Sequence, residues 1–170
     1  MDLQLNDKVV LVTSASHGLG RPVCLALAAE RARVGVNYRR DAEKAADLVD
    51  QLRQTGAQAM ALRGDVTREN DVVALYDQLE AGLGPVDVLV NNAAYCPTAP
   101  LHELTESEWN YTFQVNMTGT FLATKHLVKR LLDRRNPGRI VNISSQAAFR
   151  GSTTGHAPYD ASKGAIVSFT

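Results

Sequence analysis

The chain has 170 residues, 45% of them hydrophobic, and its 18 basic side chains balance 18 acidic ones. This length and apolar content predict a single domain with a real core over residues 1–170. A chain without net charge offers no global field for nucleic acid or an anionic membrane, so neither is expected as a partner. We expect the partner to be a small molecule held at a local site.

Targeting signals and cysteine spacing narrow the class further. Residues 1–8 lack the basic start and apolar stretch of a signal peptide, and no window approaches the roughly 18 apolar residues of a membrane span. The sequence therefore favours a soluble, cytoplasmic protein. Cys24 and Cys96 are the only cysteines, and their spacing indicates neither a disulfide framework nor a metal site.

Strands and helices are predicted to alternate along the chain. Residues 8–13 (KVVLVT) are typical of a strand buried on both faces, and a helix is predicted over residues 21–32 with Pro22 in its first turn. The later predicted elements are a strand over 33–38, a helix over 41–55, a strand over 58–62, a helix over 69–83, a strand over 86–90, a long helix over 106–135 and a strand over 139–145.

This alternation predicts an α/β protein with a doubly wound parallel sheet, the Rossmann fold, with helices on both faces. Such a sheet usually has at least six strands in two halves. This sequence predicts five strands and ends at Thr170, within the helix that follows the fifth strand. We therefore expect the domain to be C-terminally truncated, a fragment of a longer protein.

A glycine-rich turn follows the first predicted strand and leads into the first helix. It reads Thr13-Ser14-Ala15-Ser16-His17-Gly18-Leu19-Gly20. Glycine lets a backbone approach a pyrophosphate, and a helix N-terminus offers unpaired N–H groups with partial positive charge. The turn predicts a dinucleotide site, although close packing alone also produces such turns.

The end of the second strand indicates which dinucleotide binds. An acidic side chain there would bind a ribose 2′-hydroxyl, whereas this segment continues from Tyr38 into Arg39 and Arg40. Because guanidinium groups match phosphate geometry, NADP(H) is favoured over NAD(H), and His17 could add a contact. The alternative is that both arginines are solvated charges at a helix entry.

Tyr159 and Lys163 are four residues apart, so both lie on one face of a predicted helix. An ammonium near a phenol favours the phenolate, which makes the phenol a better proton donor and acceptor at neutral pH. Taken alone, such a pair arises by chance in most proteins.

Taken together, the motifs resemble the short-chain dehydrogenase/reductase family, and in particular its 3-oxoacyl-[acyl-carrier-protein] reductase-like members, from about Leu5 to the end of the chain. Besides the turn and the Tyr159–Lys163 pair, the similarity includes Gly64-Asp65-Val66, Asn91-Asn92-Ala93, Asn116 in the long helix and the segment IVNISS ending at Ser145.

The resemblance implies a catalytic set and a cofactor site. The catalytic set is Asn116, Ser145, Tyr159 and Lys163. The cofactor site is Thr13, Ser14, Ser16, His17, Gly18, Leu19, Gly20, Tyr38, Arg39, Arg40, Asp65, Val66, Asn91, Asn92, Ala93, Asn116, Tyr159 and Lys163.

The family chemistry gives each catalytic residue an expected role. Tyr159 would donate a proton to a ketone oxygen while the nicotinamide delivers hydride, and Ser145 would hold that oxygen. Lys163 would bind the nicotinamide ribose, and Asn116 would hold a water through its backbone. Ser144 is the substitute if the register at the fifth strand slips.

Structural roles are the alternative for several of these residues. Asn116 could be a satisfied polar core residue, Asn92 could cap a turn, and Ser144 and Ser145 could simply end a strand.

The implied activity is NADP(H)-dependent interconversion of a carbonyl and a secondary alcohol, with a 3-oxoacyl thioester or a general ketone as substrate. The resemblance also implies a homo-oligomer, a dimer or tetramer formed through the long helices. Two alternatives remain open, a non-catalytic nucleotide-binding module and an interaction subunit of the same fold.

Three departures from the family pattern bear on the site. Ser14 stands at the usual first glycine, so the turn must avoid positive φ or accept strain of about 1 kcal/mol. Ala94 replaces a usual glycine, and the loop from Ser145 to Tyr159 is one residue longer than in many members.

Overall fold

The computed structural model describes residues 3–151 and 154–170. Within them, five strands form one sheet in the order β3-β2-β1-β4-β5, and every neighbouring pair is parallel. The strands are β1 (Val9–Val12), β2 (Arg33–Tyr38), β3 (Ala59–Arg63), β4 (Val86–Asn91) and β5 (Arg139–Asn142). The predicted α/β fold with a doubly wound parallel sheet is confirmed.

Helices connect the strands and cover both faces of the sheet. They are α1 (Gly20–Ala29), α2 (Ala42–Gln54), α3 (Glu69–Leu83), α4 (Glu106–Phe113), α5 (Gly119–Arg134), α6 (Ala147–Arg150) and α7 (Ala157–Phe169). None of the helices in the described residues is long and apolar enough to cross a bilayer.

Most predicted boundaries agree with the structure to within one residue, but three elements differ by more than that. The helix predicted over 106–135 is divided into α4 and α5 by a π-helical segment, Gln114–Thr118. Helix α1 ends three residues before its predicted end, because Arg31 turns into the left-handed region with φ of 61°. Strand β5 ends at Asn142, so Ser145 lies in the loop that follows it.

Alternate residues of β1 contact the two layers of helices. Val10 and Val12 pack in the cluster that includes the buried residues of α1 and α2, whereas Val9 and Leu11 pack in the cluster that includes those of α3 and α5. All four are at least 98% buried, which explains why this strand is apolar without alternation.

The direction of winding reverses between β1 and β4, the third and fourth strands of the sheet. Ligands of open α/β sheets bind outside the carboxyl ends of the strands at such a switch point. The loops that follow β1 and β4 are therefore the expected walls of a site.

Candidate active site

A cavity of about 340 Å³ opens at the carboxyl ends of the first four strands. Its size lies within the range of about 300–1,000 Å³ typical of small-molecule sites. Its lining comes from the loops after β1 (Ser14, Ser16, His17), β2 (Arg39, Arg40, Asp41), β3 (Gly64, Asp65, Val66) and β4 (Ala93, Ala94, Tyr95), from Asn37 near the end of β2, and from Tyr111 and Val115.

Ser14 adopts the strained backbone that its position requires. Its φ is 50°, so the turn accepts positive φ with a residue that has a side chain. The N–H of Ser14 donates to Asn37 Oδ1 at 3.0 Å. Asn37, 2% exposed, donates in turn to the carbonyl oxygens of Leu62 and Gly64 at 3.2 and 3.0 Å. One buried amide thus fastens the glycine-rich turn to the end of β3.

The two glycines of the turn are favoured for different structural reasons, one for its backbone angle and one for close packing. Gly18 has φ of 57°, where glycine is favoured, and a Cβ there would meet nothing within 4 Å. A Cβ on Gly20 would lie 2.6 Å from Ala15 Cα and 2.8 Å from Asn92 Nδ2. Gly20 therefore allows the start of α1 to pack against the turn.

Thr13 and Asn92 join the loops after β1 and β4. Thr13 Oγ1 accepts the N–H groups of Asn92 and Ala93, both at 3.0 Å. The Asn92 side chain donates to the carbonyl oxygens of Thr13 and Ser14 at 2.9 and 3.1 Å. Both side chains therefore form hydrogen bonds to the protein backbone that hold the two loops together. The neighbouring Ala93 lines the cavity.

Asn91 likewise bonds within the sheet. Its Nδ2 donates to Asn142 Oδ1 at 2.8 Å and to Thr124 Oγ1 at 3.1 Å. These bonds connect the ends of β4 and β5 and helix α5. Its side chain is thus placed at the carboxyl edge of the sheet but is occupied by protein partners.

A charged cluster closes one side of the cavity. Arg39 Nη1 lies 3.4 Å from Asp65 Oδ2 and also donates to the Tyr111 hydroxyl. Asp65 Oδ1 accepts from the N–H and hydroxyl of Thr67 at 3.0 and 2.7 Å. Partial burial acts to raise the pKa of Asp65, but the hydrogen bonds from Thr67 and the charge of Arg39 outweigh it and hold this pKa below its usual value.

Helix α7 brings Tyr159 and Lys163 together as predicted from their spacing. Lys163 Nζ lies 5.5 Å from the centre of the Tyr159 ring and donates to the carbonyl oxygen of Ile143 at 2.6 Å. The lysine is 2% exposed, and this burial lowers its pKa because a charged ammonium is poorly solvated there.

Asn116 lies in the π-helical segment and bridges two elements. Its side chain accepts the N–H of Tyr95 at 2.7 Å and donates to Tyr95 O at 3.0 Å and to Ser162 Oγ at 2.8 Å. Its backbone oxygen accepts from Thr120 Oγ1 at 2.8 Å. Asn116 thereby ties the loop after β4, which lines the cavity, to the helix that carries Tyr159 and Lys163.

The two serines after β5 differ in direction. Ser144 Oγ donates to Lys163 O at 2.9 Å, so this hydroxyl is turned to the backbone of α7. Ser145 Oγ accepts the N–H of Ala147 at 3.2 Å, which leaves its own proton without a partner among the described residues. Ser145 is thus the better placed of the two to donate to a ligand.

The sequence did not single out Asn37 or Tyr111. Asn37 had a weak signal, since it is the one side-chain amide in the strand RVGVNY and it proves to be buried. Tyr111 had none, because its partner Arg39 is 72 residues away along the chain. Of the two cysteines, Cys24 is buried and Cys96 exposed, and both are free.

A sequence model of the short chain dehydrogenase family matches residues 8–170. A hydroxynaphthalene reductase-like protein of Metarhizium robertsii is 36% identical over 166 residues, a match that covers 98% of this chain and 61% of the relative.

Solved structures agree with the match in sequence. A mutant short-chain dehydrogenase/reductase of Serratia marcescens superposes with a TM-score of 0.89 at 28% identity, and a short chain dehydrogenase of Burkholderia cenocepacia in complex with NADP superposes with 0.89 at 31%. A gluconate 5-dehydrogenase of the same Burkholderia species, with NADP and tartrate, has a TM-score of 0.88 at 32% identity. Each match covers 98% of this chain and 64–66% of the other.

Proposed function

Because the chain belongs to the short-chain dehydrogenase family, we propose that it interconverts a carbonyl and a secondary alcohol with NADP(H), acting on a 3-oxoacyl thioester or a general ketone. The observation that carries this proposal is the pair on α7. Lys163, 2% exposed, has its Nζ 5.5 Å from the ring centre of Tyr159 in the preceding turn. A buried ammonium beside a phenol is the arrangement needed to move a proton to and from a substrate oxygen.

The residues of the cavity fit a phosphorylated dinucleotide. His17, Arg39 and Arg40 place basic groups at one side, where a 2′-phosphate would be bound, and Val66 and Val115 offer apolar surface for a base. The Burkholderia relatives with 31% and 32% identity were solved with NADP, which supports the same cofactor here. When bound, the cofactor would supply or accept the hydride.

Within this proposal, the chain's own residues have the roles that the family resemblance implies. Tyr159 would donate its phenolic proton to the carbonyl oxygen during reduction, and the Ser145 hydroxyl would hold that oxygen. Lys163 would bind the nicotinamide ribose and favour the phenolate after proton transfer. The side chain of Asn116 would hold the loop after β4 against α7, and its backbone would hold a water that connects the site to solvent.

We also propose that the protein is a homo-oligomer through α5 and α7. An apolar groove on these helices exposes Phe121 (44%), Val128 (39%), Leu132 (71%) and Phe169 (37%). Clustered apolar side chains of this size on one surface favour association with another chain. A cytoplasmic location stays a prediction from the sequence.

The proposal is tested with Tyr159→Phe, which removes the transferable proton. We expect NADPH oxidation with a panel of ketones and 3-oxoacyl thioesters to fall at least about 100-fold. NADPH affinity, measured by fluorescence titration, should stay within about twofold, because only the Tyr159 hydroxyl is lost and the other residues of the cofactor site remain. The control is Tyr76→Phe, whose hydroxyl bonds to Ala123 O in the core, away from the cavity.

Unaltered turnover in Tyr159→Phe would contradict the assignment of Tyr159. Binding of NADPH without turnover of any substrate by the unsubstituted chain would instead favour a non-catalytic nucleotide-binding module.

A further inference from the structure

We propose that Tyr111 is a positioning residue that selects the cofactor, because it holds one end of the Arg39 guanidinium and leaves the other edge free for the 2′-phosphate. This inference rests on the proposed function and deepens it. It concerns the chain's preference for a 2′-phosphorylated nucleotide and assigns Tyr111 no part in the chemical step.

The donors of Arg39 are divided unequally. A guanidinium has five N–H donors, of which two are on Nη1. Nη1 makes both recorded bonds, one to the Tyr111 hydroxyl and one to Asp65 Oδ2 at 3.4 Å. The three N–H groups on Nε and Nη2 have no hydrogen-bond partner among the described residues. Arg39, Asp65 and Tyr111 all line the cavity.

The two anchors are themselves fixed by other contacts. Tyr111 lies on α4 and meets the ring of Tyr95 edge-on, with 5.0 Å between ring centres. Asp65 follows β3 and accepts two hydrogen bonds from Thr67. Arg39 follows β2, so three different segments determine where its guanidinium lies. A side chain held in this way loses little further freedom when it binds a ligand.

The free edge has the shape that phosphate requires. Nε and Nη2 are parallel donors that can bond two oxygens of one phosphate. Anchoring through Nη1 leaves this edge intact, whereas anchoring through Nη2 would remove it. Arg40 differs, because its side chain has no hydrogen bond to a described residue and it adds charge without a fixed direction. NADH lacks the 2′-phosphate, so loss of the Tyr111 anchor should affect NADPH alone.

The test is Tyr111→Phe, measured as dissociation constants for NADPH, NADH, 2′,5′-ADP and 5′-AMP by fluorescence or calorimetric titration. We expect NADPH and 2′,5′-ADP to bind about 3- to 10-fold more weakly, because the lost hydrogen bond orients Arg39 and does not itself contact the nucleotide, so only part of its free energy is lost from binding. NADH and 5′-AMP should change by less than about twofold, since neither carries the phosphate. The Tyr76→Phe variant, which also loses one tyrosine hydroxyl, should keep the NADPH:NADH ratio of the unsubstituted chain.

A double-mutant cycle separates positioning from general structure. In an Arg39→Ala background, Tyr111→Phe should leave NADPH affinity unchanged, because the group it positions is gone. Equal weakening of NADPH and NADH by Tyr111→Phe, or no weakening of either, would overturn the inference while the proposed function stands. If the unsubstituted chain binds neither nucleotide, the inference and the proposed function both fall.

Discussion

Asp65 lies just after β3 with its carboxylate held by Thr67 and Arg39. Its pKa is lowered in the folded chain, so between this value and its ordinary value near 4 the unfolded chain binds more protons. Stability from this carboxylate is therefore fully present above about pH 4 and is lost as pH falls through the lowered pKa.

Asp65→Asn should remove this pH-dependent stability. We expect its melting temperature, followed by circular dichroism, to lie below that of the unsubstituted chain at pH 6, and the difference to shrink as pH falls below about 4. Asp50→Asn is the control, since Asp50 is exposed on α2 and forms no ion pair among the described residues. If the difference in melting temperature between Asp65→Asn and the unsubstituted chain were constant from pH 6 to pH 3, the charge of Asp65 would not be the source of the stability.

Single residues also show which contacts the sequence predicted and which it did not. The spacing of Tyr159 and Lys163 predicted their shared face because four residues make about one helical turn, and the structure places them together. The network around Asn37 could not be predicted, because its hydrogen bonds reach the loops after β1 and β3 and depend on the order of the strands. Local patterns predict neighbours along a helix, not partners across a sheet.

Among the elements, the start of α1 is the most tightly constrained part of the candidate site. Gly20→Ala would place a methyl group against the backbone of Ala15 and the side chain of Asn92, which cannot both move without opening the turn. We expect a loss of about 2 kcal/mol in unfolding free energy, measured by urea titration.

The matched variant is Gly164→Ala on α7. A Cβ there meets only Ala148 O, at an ordinary 3.6 Å, so the usual advantage of alanine within a helix should appear as a gain of about 0.5–1 kcal/mol. Losses of equal size at both glycines would contradict the packing argument. Weaker NADPH binding by Gly20→Ala alone would connect the helix start to the cofactor.

The π-helical segment is an element that periodicity did not predict. Residues 106–135 follow a helical pattern throughout, and the structure interrupts it at Gln114–Thr118. Such segments are rare and often occur at functional sites. Here the segment carries Asn116, whose amide needs partners on both the loop after β4 and α7. Tertiary contacts of this kind determine the local backbone, and they cannot be predicted from a short stretch of sequence because the partners are distant along the chain.

For the whole molecule, the alternation of strands and helices was enough to predict the parallel sheet, because right-handed crossovers leave few topologies. Helix α3 has the predicted bounds, 69–83. The site was predicted less completely, since the cavity is formed by loops from four strands and by Tyr111 and Val115. The sequence predicted only that long helices would form an interface between chains. The structure shows an apolar groove on α5 and α7, and its use as an interface stays a prediction.

Leu132→Lys tests whether that groove is covered by a second copy of the chain. Leu132 is 71% exposed at the groove, so a lysine there should leave the monomer's fold unchanged but would place an unpaired charge within an apolar interface. We expect the unsubstituted chain to sediment as an oligomer that dissociates on dilution, and Leu132→Lys to raise the dissociation constant at least about 10-fold.

The control is Leu101→Lys, at a residue 70% exposed in the loop after β4, which should leave the dissociation constant unchanged. Monomers at every concentration, or equal effects of the two substitutions, would show that the groove is not a self-association surface.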